Sequence, residues 1–289
     1  MREGKYRLWK QIVCLIVLCA GFLYSKTEAQ AAPRFQKLTE GKTYQTTLTG
    51  KKKHTLKFVC VEGKEPGDYL EEVNIYLDGK KEKTVRGIGE YYWNVYLCLV
   101  GTKKTLLYME GISDNDYTTS IRIMEYRNKK LRQIADLTEL SRNNSEDKTQ
   151  KLFSGWARGI LQRVGDNSLT VRWSETGKST GIVCVDVTYK LAGSRMVQSG
   201  SSYALKFPYE YLKKEWTAKE SFSAYTKAGG SKVSFRIQPG DRVKPLRLTR
   251  KRGNLWFQIR NAEGKKGWFK DAETHSDHSV YFEEAMFAG

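Results

Sequence analysis

Apolar and polar residues alternate along most of this chain. Runs with a period of two, broken by Gly, Asn and Asp, recur from Leu56 to Phe269, and no long run keeps the spacing of an amphipathic helix. The pattern predicts an all-β protein, with strands over residues 56–61, 73–77, 93–100, 105–109 and 120–126. Asp78-Gly79 closes the second of these and predicts a two-residue hairpin, because both residues tolerate the positive φ that such turns require. Gly87-Ile88-Gly89 does not join a strand to a helix, so it reads as a loop and not as a phosphate cradle.

One arrangement occurs twice. Val100-Gly101 and Val164-Gly165 stand 64 positions apart, and Leu106 to Met109 falls on Thr170 to Trp173 at the same offset. Ile121 to Tyr126 then parallels Val183 to Tyr189. The shared unit of strand, turn, strand, polar loop and strand resembles a blade of a β-propeller or a related sheet repeat. A closed propeller needs about four blades, and two unrelated meanders would give the same pattern. The expectation is a propeller-like or sandwich-like β-repeat domain over residues 35–200. Residues 141–150 contain no apolar side chain and read as an exposed loop between the copies, and residues 201–215 read as a linker.

The last quarter predicts a separate small barrel over residues 216–289. Short alternating runs at 221–225, 233–237, 243–248, 255–260 and 267–269 are joined by Gly229-Gly230, Gln238-Pro239-Gly240-Asp241, Lys251-Arg252-Gly253-Asn254 and the turn at 261–266. Residues 281–289 offer a closing strand. The Pro-Gly-Asp turn before a Val strand, the Gly-Asn turn before Leu255-Trp256-Phe257, and Glu263-Gly264-Lys265-Lys266-Gly267-Trp268-Phe269 resemble the bacterial SH3-like domain. That resemblance implies a non-catalytic attachment module, often for peptidoglycan peptides in wall enzymes.

The amino terminus predicts export. Arg2, Lys5, Arg7 and Lys10 precede an apolar run at residues 12–24, and Ala29 and Ala31 follow, which is the order of a secretory signal peptide over residues 1–31. The run is short of the roughly 20 residues that span a bilayer, and no second long apolar run follows, so no transmembrane segment is expected after cleavage. Cys14 follows Val13 and Cys19 follows Leu18, which does not suit lipidation. Cys60, Cys98 and Cys184 remain after cleavage. They lie in apolar strands as small buried hydrophobes, with one disulfide still open to them.

Charge is the strongest chemical signal. The whole chain carries a formal +18, and residues 211–271 hold 16 Lys and Arg against 5 Asp and Glu. A cationic surface concentrates anionic partners by long-range attraction. For an exported protein the partner is cell-wall peptidoglycan, an anionic wall polymer such as a teichoic acid, an anionic lipid surface or a host glycosaminoglycan, and no specific nucleic acid. Arg250, Lys251 and Arg252 are the candidate contacts, with Trp256, Trp268 and Tyr225 as stacking faces, although aromatics in a small barrel are more often core.

Catalytic patterns are sparse. The cysteines lack the polar setting of a nucleophile beside a His. His275-Ser276-Asp277-His278 is the only close His pair and reads as a solvated tail, so neither a metal nor a cofactor is expected. Asp114-Asn115-Asp116 lacks the Gly and terminal Glu of a calcium loop and reads as an acidic turn. Asp114, Asp116, Glu175 and Asp186 are candidate acids for a glycosidase, but one dimension cannot pair them. The reading is an exported, non-catalytic envelope or cell-wall-associated binding protein. The alternatives are a wall-active hydrolase with its carboxylates in the repeat region, and a charge-driven extracellular adhesin that binds polyanions.

Overall fold

The computed structural model describes residues 34–64, 69–102, 104–143, 157–207, 215–271 and 281–285. The expected signal peptide and the His275/His278 pair lie outside these residues. The chain from Arg34 onward forms one compact unit. Among the described residues the fold is all-β, with a single short helix.

β1 (Phe35–Lys37) is the first strand, and three antiparallel sheets follow. The first has the order β2 (Tyr44–Thr46), β3 (His54–Glu62), β4 (Leu70–Leu77), β5 (Lys80–Glu90). The second places β1 beside β6 (Tyr92–Val100), then β7 (Lys104–Ile112), β8 (Thr118–Arg127) and β9 (Lys130–Asp136). The third begins with β10 (Arg158–Val164), β11 (Ser168–Gly177) and β12 (Gly181–Ala192), with β13 (Arg195–Ser199) also paired to β12. It continues through β14 (Ser202–Lys206) into the carboxy-terminal strands.

The two stretches compared in the sequence fall on β6 to β9 and on β10 to β13, each an antiparallel meander. A third four-stranded meander, β2 to β5, has no such sequence signature. The hairpin at Asp78-Gly79 forms with φ of 51° and 79°, and Asn128-Lys129 adopts the same left-handed pair at 54° and 60°.

β7 explains how the sheets stack. Leu106 and Tyr108 point into a core shared with Trp173, Val171 and Val185, while Leu107 and Met109 point into another core shared with Leu56, Val73 and Ile75. The five-stranded sheet is therefore covered on both faces, which is why β7 reads as an almost continuous apolar run instead of an alternating one.

Several expectations are corrected. Gly87-Ile88-Gly89 is part of β5, not a loop: Leu70 pairs with Glu90 and Glu72 with Arg86, so the extra residues form a bulge. A Cβ on Gly87 would fall 2.0 Å from the Leu70 carbonyl oxygen. Ser141 is not in an exposed loop. It lies in α1 (Leu137–Asn143), is 1% exposed, and its hydroxyl meets that of Tyr189, because Leu137 anchors the preceding turn in the core; residues 144–150 lie outside the described residues. The expected linker holds β14, whose Tyr203 and Leu205 are buried, and whose two edges pair with β12 and with β18 (Arg242–Lys251).

That insertion also changes the carboxy-terminal region. The order from β14 runs β18, β19 (Asn254–Arg260), β20 (Lys266–Lys270), β16 (Phe222–Tyr225), β17 (Val233–Ile237), with β15 (Trp216–Thr217) paired to β18. Among the described residues no sheet closes into a barrel. The expected closing strand is a single bridge, Ala218 to Phe282, with Phe282 fully buried against Trp216 and Phe269. The three described cysteines are free. Burial raises the Cys98 thiol pKa, and burial followed by the nearby Glu40 pushes that of Cys60 to about 12.

Candidate functional site

Cross-strand partners in an antiparallel ladder point to the same face, so register decides which carboxy-terminal side chains can act together. Phe257 pairs with Phe269, and both rings stack in the core. The neighbours in sequence therefore face the other way. Trp256 lies opposite Lys270 and Thr249, Gln258 opposite Trp268 and Arg247, and Trp268 opposite Tyr225. The three predicted aromatics thus share one face. Tyr225 meets Trp256 edge-on at 5.9 Å. Trp268 and Tyr225 are half-buried, whereas Trp256 is only 7% exposed and its buried indole N–H has no hydrogen-bond partner. Trp268 and Tyr225 are therefore the more accessible of the three, with Trp256 beneath.

The basic triplet does not form one patch. Lys251 lies on the Trp256 face, opposite Asn254. Arg250 pairs with Leu255, on the other side of the sheet, and donates from Nη1 to the Gly253 carbonyl at 2.9 Å. Arg252 occupies the hairpin turn with φ 48°, followed by Gly253 at 79°. An odd number of steps separates each residue from the next, so a strand cannot aim all three the same way.

The same register exposes a cationic row that composition alone does not reveal. Lys244 pairs with Arg260, and Arg260 with Lys266. All three are exposed, stand in line across β18, β19 and β20, and lie on the aromatic face two positions from Gln258 and Trp268. Among the described residues none of the three has a carboxylate in ion-pair contact. Like charges directly opposite one another oppose sheet formation, and an anion laid along them removes that penalty. The signal in the sequence was weak, since the three lie on three different strands and a bulge at Leu246 resets the register between Lys244 and Arg260.

A second constellation lies where β7 ends. Glu110 is 1% exposed and accepts from Asn94 Nδ2 at 3.3 Å, while Arg158 Nε is 3.9 Å away. Burial raises its carboxyl pKa to about 7, against the opposing pull of Arg158 and Asn94. Glu90, also fully buried, accepts from Thr119 and Ser120 at 3.0 and 3.2 Å. It occupies the space that a Cβ on Gly111 would need, 2.4 Å from Glu90 Cγ. Glu110 and Gly111 are successive residues of a strand, so the two carboxyls lie on opposite faces of β7.

No protein-family model, curated protein or solved structure matches this chain.

The acids picked from the sequence are distributed. Asp114 accepts from the Tyr69 hydroxyl at 3.3 Å. Asp116 accepts from Arg158 Nη1 at 3.0 Å and from the Tyr92 hydroxyl at 3.1 Å, and these contacts, that of Arg158 first, lower its pKa. Asp186 is held by its cross-strand partner Arg172 at 2.8 Å. Glu175 belongs to β11. Glu90 and Glu110 escaped notice because each is a single acid flanked by aromatic or apolar residues, in Glu90-Tyr91-Tyr92-Trp93 and Tyr108-Met109-Glu110-Gly111-Ile112.

Proposed function

We propose that this chain is an exported, non-catalytic binding protein of the cell envelope, with propeller-like meanders followed by an SH3-like module that holds an anionic wall polymer. The observation that carries the reading is the row Lys244, Arg260 and Lys266 beside Trp268. Its spacing follows that of adjacent strands, about 4.8 Å, so an extended polymer lying across the strands meets one cation per strand. Trp268 and Tyr225 supply apolar contact next to it. Glu90 and Glu110, on opposite faces of one strand, cannot flank a single glycosidic bond.

The test is retention of the protein lacking residues 1–31 on purified wall, with and without teichoic acid, over a salt series. Retention should require the polymer and fall steeply with salt. The triple variant Lys244→Gln, Arg260→Gln, Lys266→Gln should lose retention while its thermal stability is unchanged or slightly higher, because a like-charge row has been removed. Equal retention of this variant and the parent protein would refute the proposal.

A further inference from the structure

The end of the five-stranded sheet carries a surface of different chemistry. The turn between β7 and β8 presents Asp114, Asn115 and Asp116, all exposed. Tyr69, 48% exposed, reaches Asp114 from the adjoining sheet. Arg158 enters from β10 and bridges the rest: Nη1 donates to the Asp116 main-chain oxygen at 2.6 Å and to its carboxylate, and Nη2 donates to the Tyr92 hydroxyl at 3.4 Å.

Beneath this surface two polar atoms lack hydrogen bonds. Glu110 Oε1, on a side chain only 2% exposed, and the buried Arg158 Nε face each other at 3.9 Å. That distance is too long for a direct hydrogen bond, and burial makes the deficit costly for both groups. One hydroxyl group between them would accept from Nε–H and donate to Oε1.

Charge narrows the class of ligand. Asp116 and Glu110 flank the Arg158 guanidinium and Asp114 adds a third carboxylate in the same turn, so an anionic polymer is repelled, while Arg158 between the first two disfavours a metal cation. We propose that this end binds a neutral glycan, with one sugar hydroxyl reaching the gap between Glu110 and Arg158, further hydroxyls donating to Asp116, and Tyr69 offering its ring. The site is independent of the cationic row and opposite to it in salt response, since hydrogen bonds to a neutral ligand are not screened as charge attraction is.

An array of neutral oligosaccharides of hexose and N-acetylhexosamine types, probed with the protein lacking residues 1–31 at about 0.15 M and about 1 M salt, tests the assignment. Binding should appear at both salt concentrations. Asp116→Gly removes an exposed carboxylate at a position with φ 60° that glycine adopts freely, so the fold is spared. It should weaken the best glycan by about tenfold or more, and Arg158→Lys by a similar factor, because each removes charge-assisted hydrogen bonds. The Lys244, Arg260, Lys266 triple variant should bind the glycan as the parent does. Absence of binding to every neutral glycan, or equal binding by Asp116→Gly and the parent, would overturn the proposal and leave the gap to a structural water.

Discussion

The Asp271 carboxylate accepts hydrogen bonds from the backbone N–H groups of Lys178 and Ser179, each at 2.8 Å, across more than ninety positions of sequence. This docks the turn between β11 and β12 on the end of β20. Gly177 permits the approach, since a Cβ there would lie 2.9 Å from the Phe257 ring and 2.2 Å from Thr180 Oγ1. The repeat region and the carboxy-terminal strands are thus joined by this clamp as well as by β14.

Replacing Asp271 with Ala should cost about 2 kcal/mol, because two backbone donors lose a charged acceptor. Urea unfolding should shift to a lower midpoint and remain a single transition. A second transition would show that the clamp alone makes the two regions cooperative.

Excising residues 216–289 removes β14 and leaves the β18 edge bare at Arg247, Leu248 and Thr249. A fragment of residues 201–289 should therefore melt at a higher temperature than one of residues 216–289. Identical melting would show that β14 is dispensable to the sheet it completes.

Glu110 gives the protein a predictable pH response. An unfolded Glu titrates near the ordinary 4.5, and the folded group at about 7, so folded Glu110 keeps its proton over that interval while the unfolded chain releases it. Stability should fall as pH rises from 4.5 to 7 and level off above, by at most about 3 kcal/mol. Glu110→Gln should flatten this part of the profile and raise the melting temperature at pH 8 but not at pH 4. An unchanged profile would show that Glu110 is not the titrating group.

Thiol chemistry should be slow in the native protein. Cys98 is fully buried and Cys184 is 8% exposed, and burial raises both thiol pKa values. A thiol reagent at pH 8 should therefore modify Cys60 first, slowly, and the other two only in denaturant. Rapid labelling of Cys98 would mean that the five-stranded sheet opens readily.

The all-β class was legible because period two survives wherever one side of a strand is wet. The hairpin at Asp78-Gly79 was legible because its residues leave no other conformation as cheap. The likeness between the stretches that form β6 to β9 and β10 to β13 was visible because both are rich in apolar residues. The meander β2 to β5 shows no such likeness, since β5 reads Lys80-Lys81-Glu82-Lys83 before its first buried apolar residue, Val85. Tyr203 and Leu205 do alternate, but the Ser and Gly residues before them favoured a linker reading. All three aromatics proposed as contacts lie on one face, whereas the Arg250, Lys251, Arg252 triplet divides, because adjacency in sequence means opposition in a strand. The cationic row depends on the register of two successive hairpins, one of them shifted by the bulge at Leu246, and the gap between Glu110 and Arg158 on the meeting of β7 with β10, which no local pattern encodes.

Burial on both faces places β7 where opening it means separating two cores at once. Its amide hydrogens should exchange with solvent only when the whole unit unfolds, later than those of β17 at the sheet margin. The turn carrying Asp114 and Asp116 hangs directly from that strand, so its geometry is referenced to the slowest-moving part of the molecule. A ligand gripping that turn would gain little from further rigidity, and its binding entropy should be dominated by the ligand's own loss of freedom.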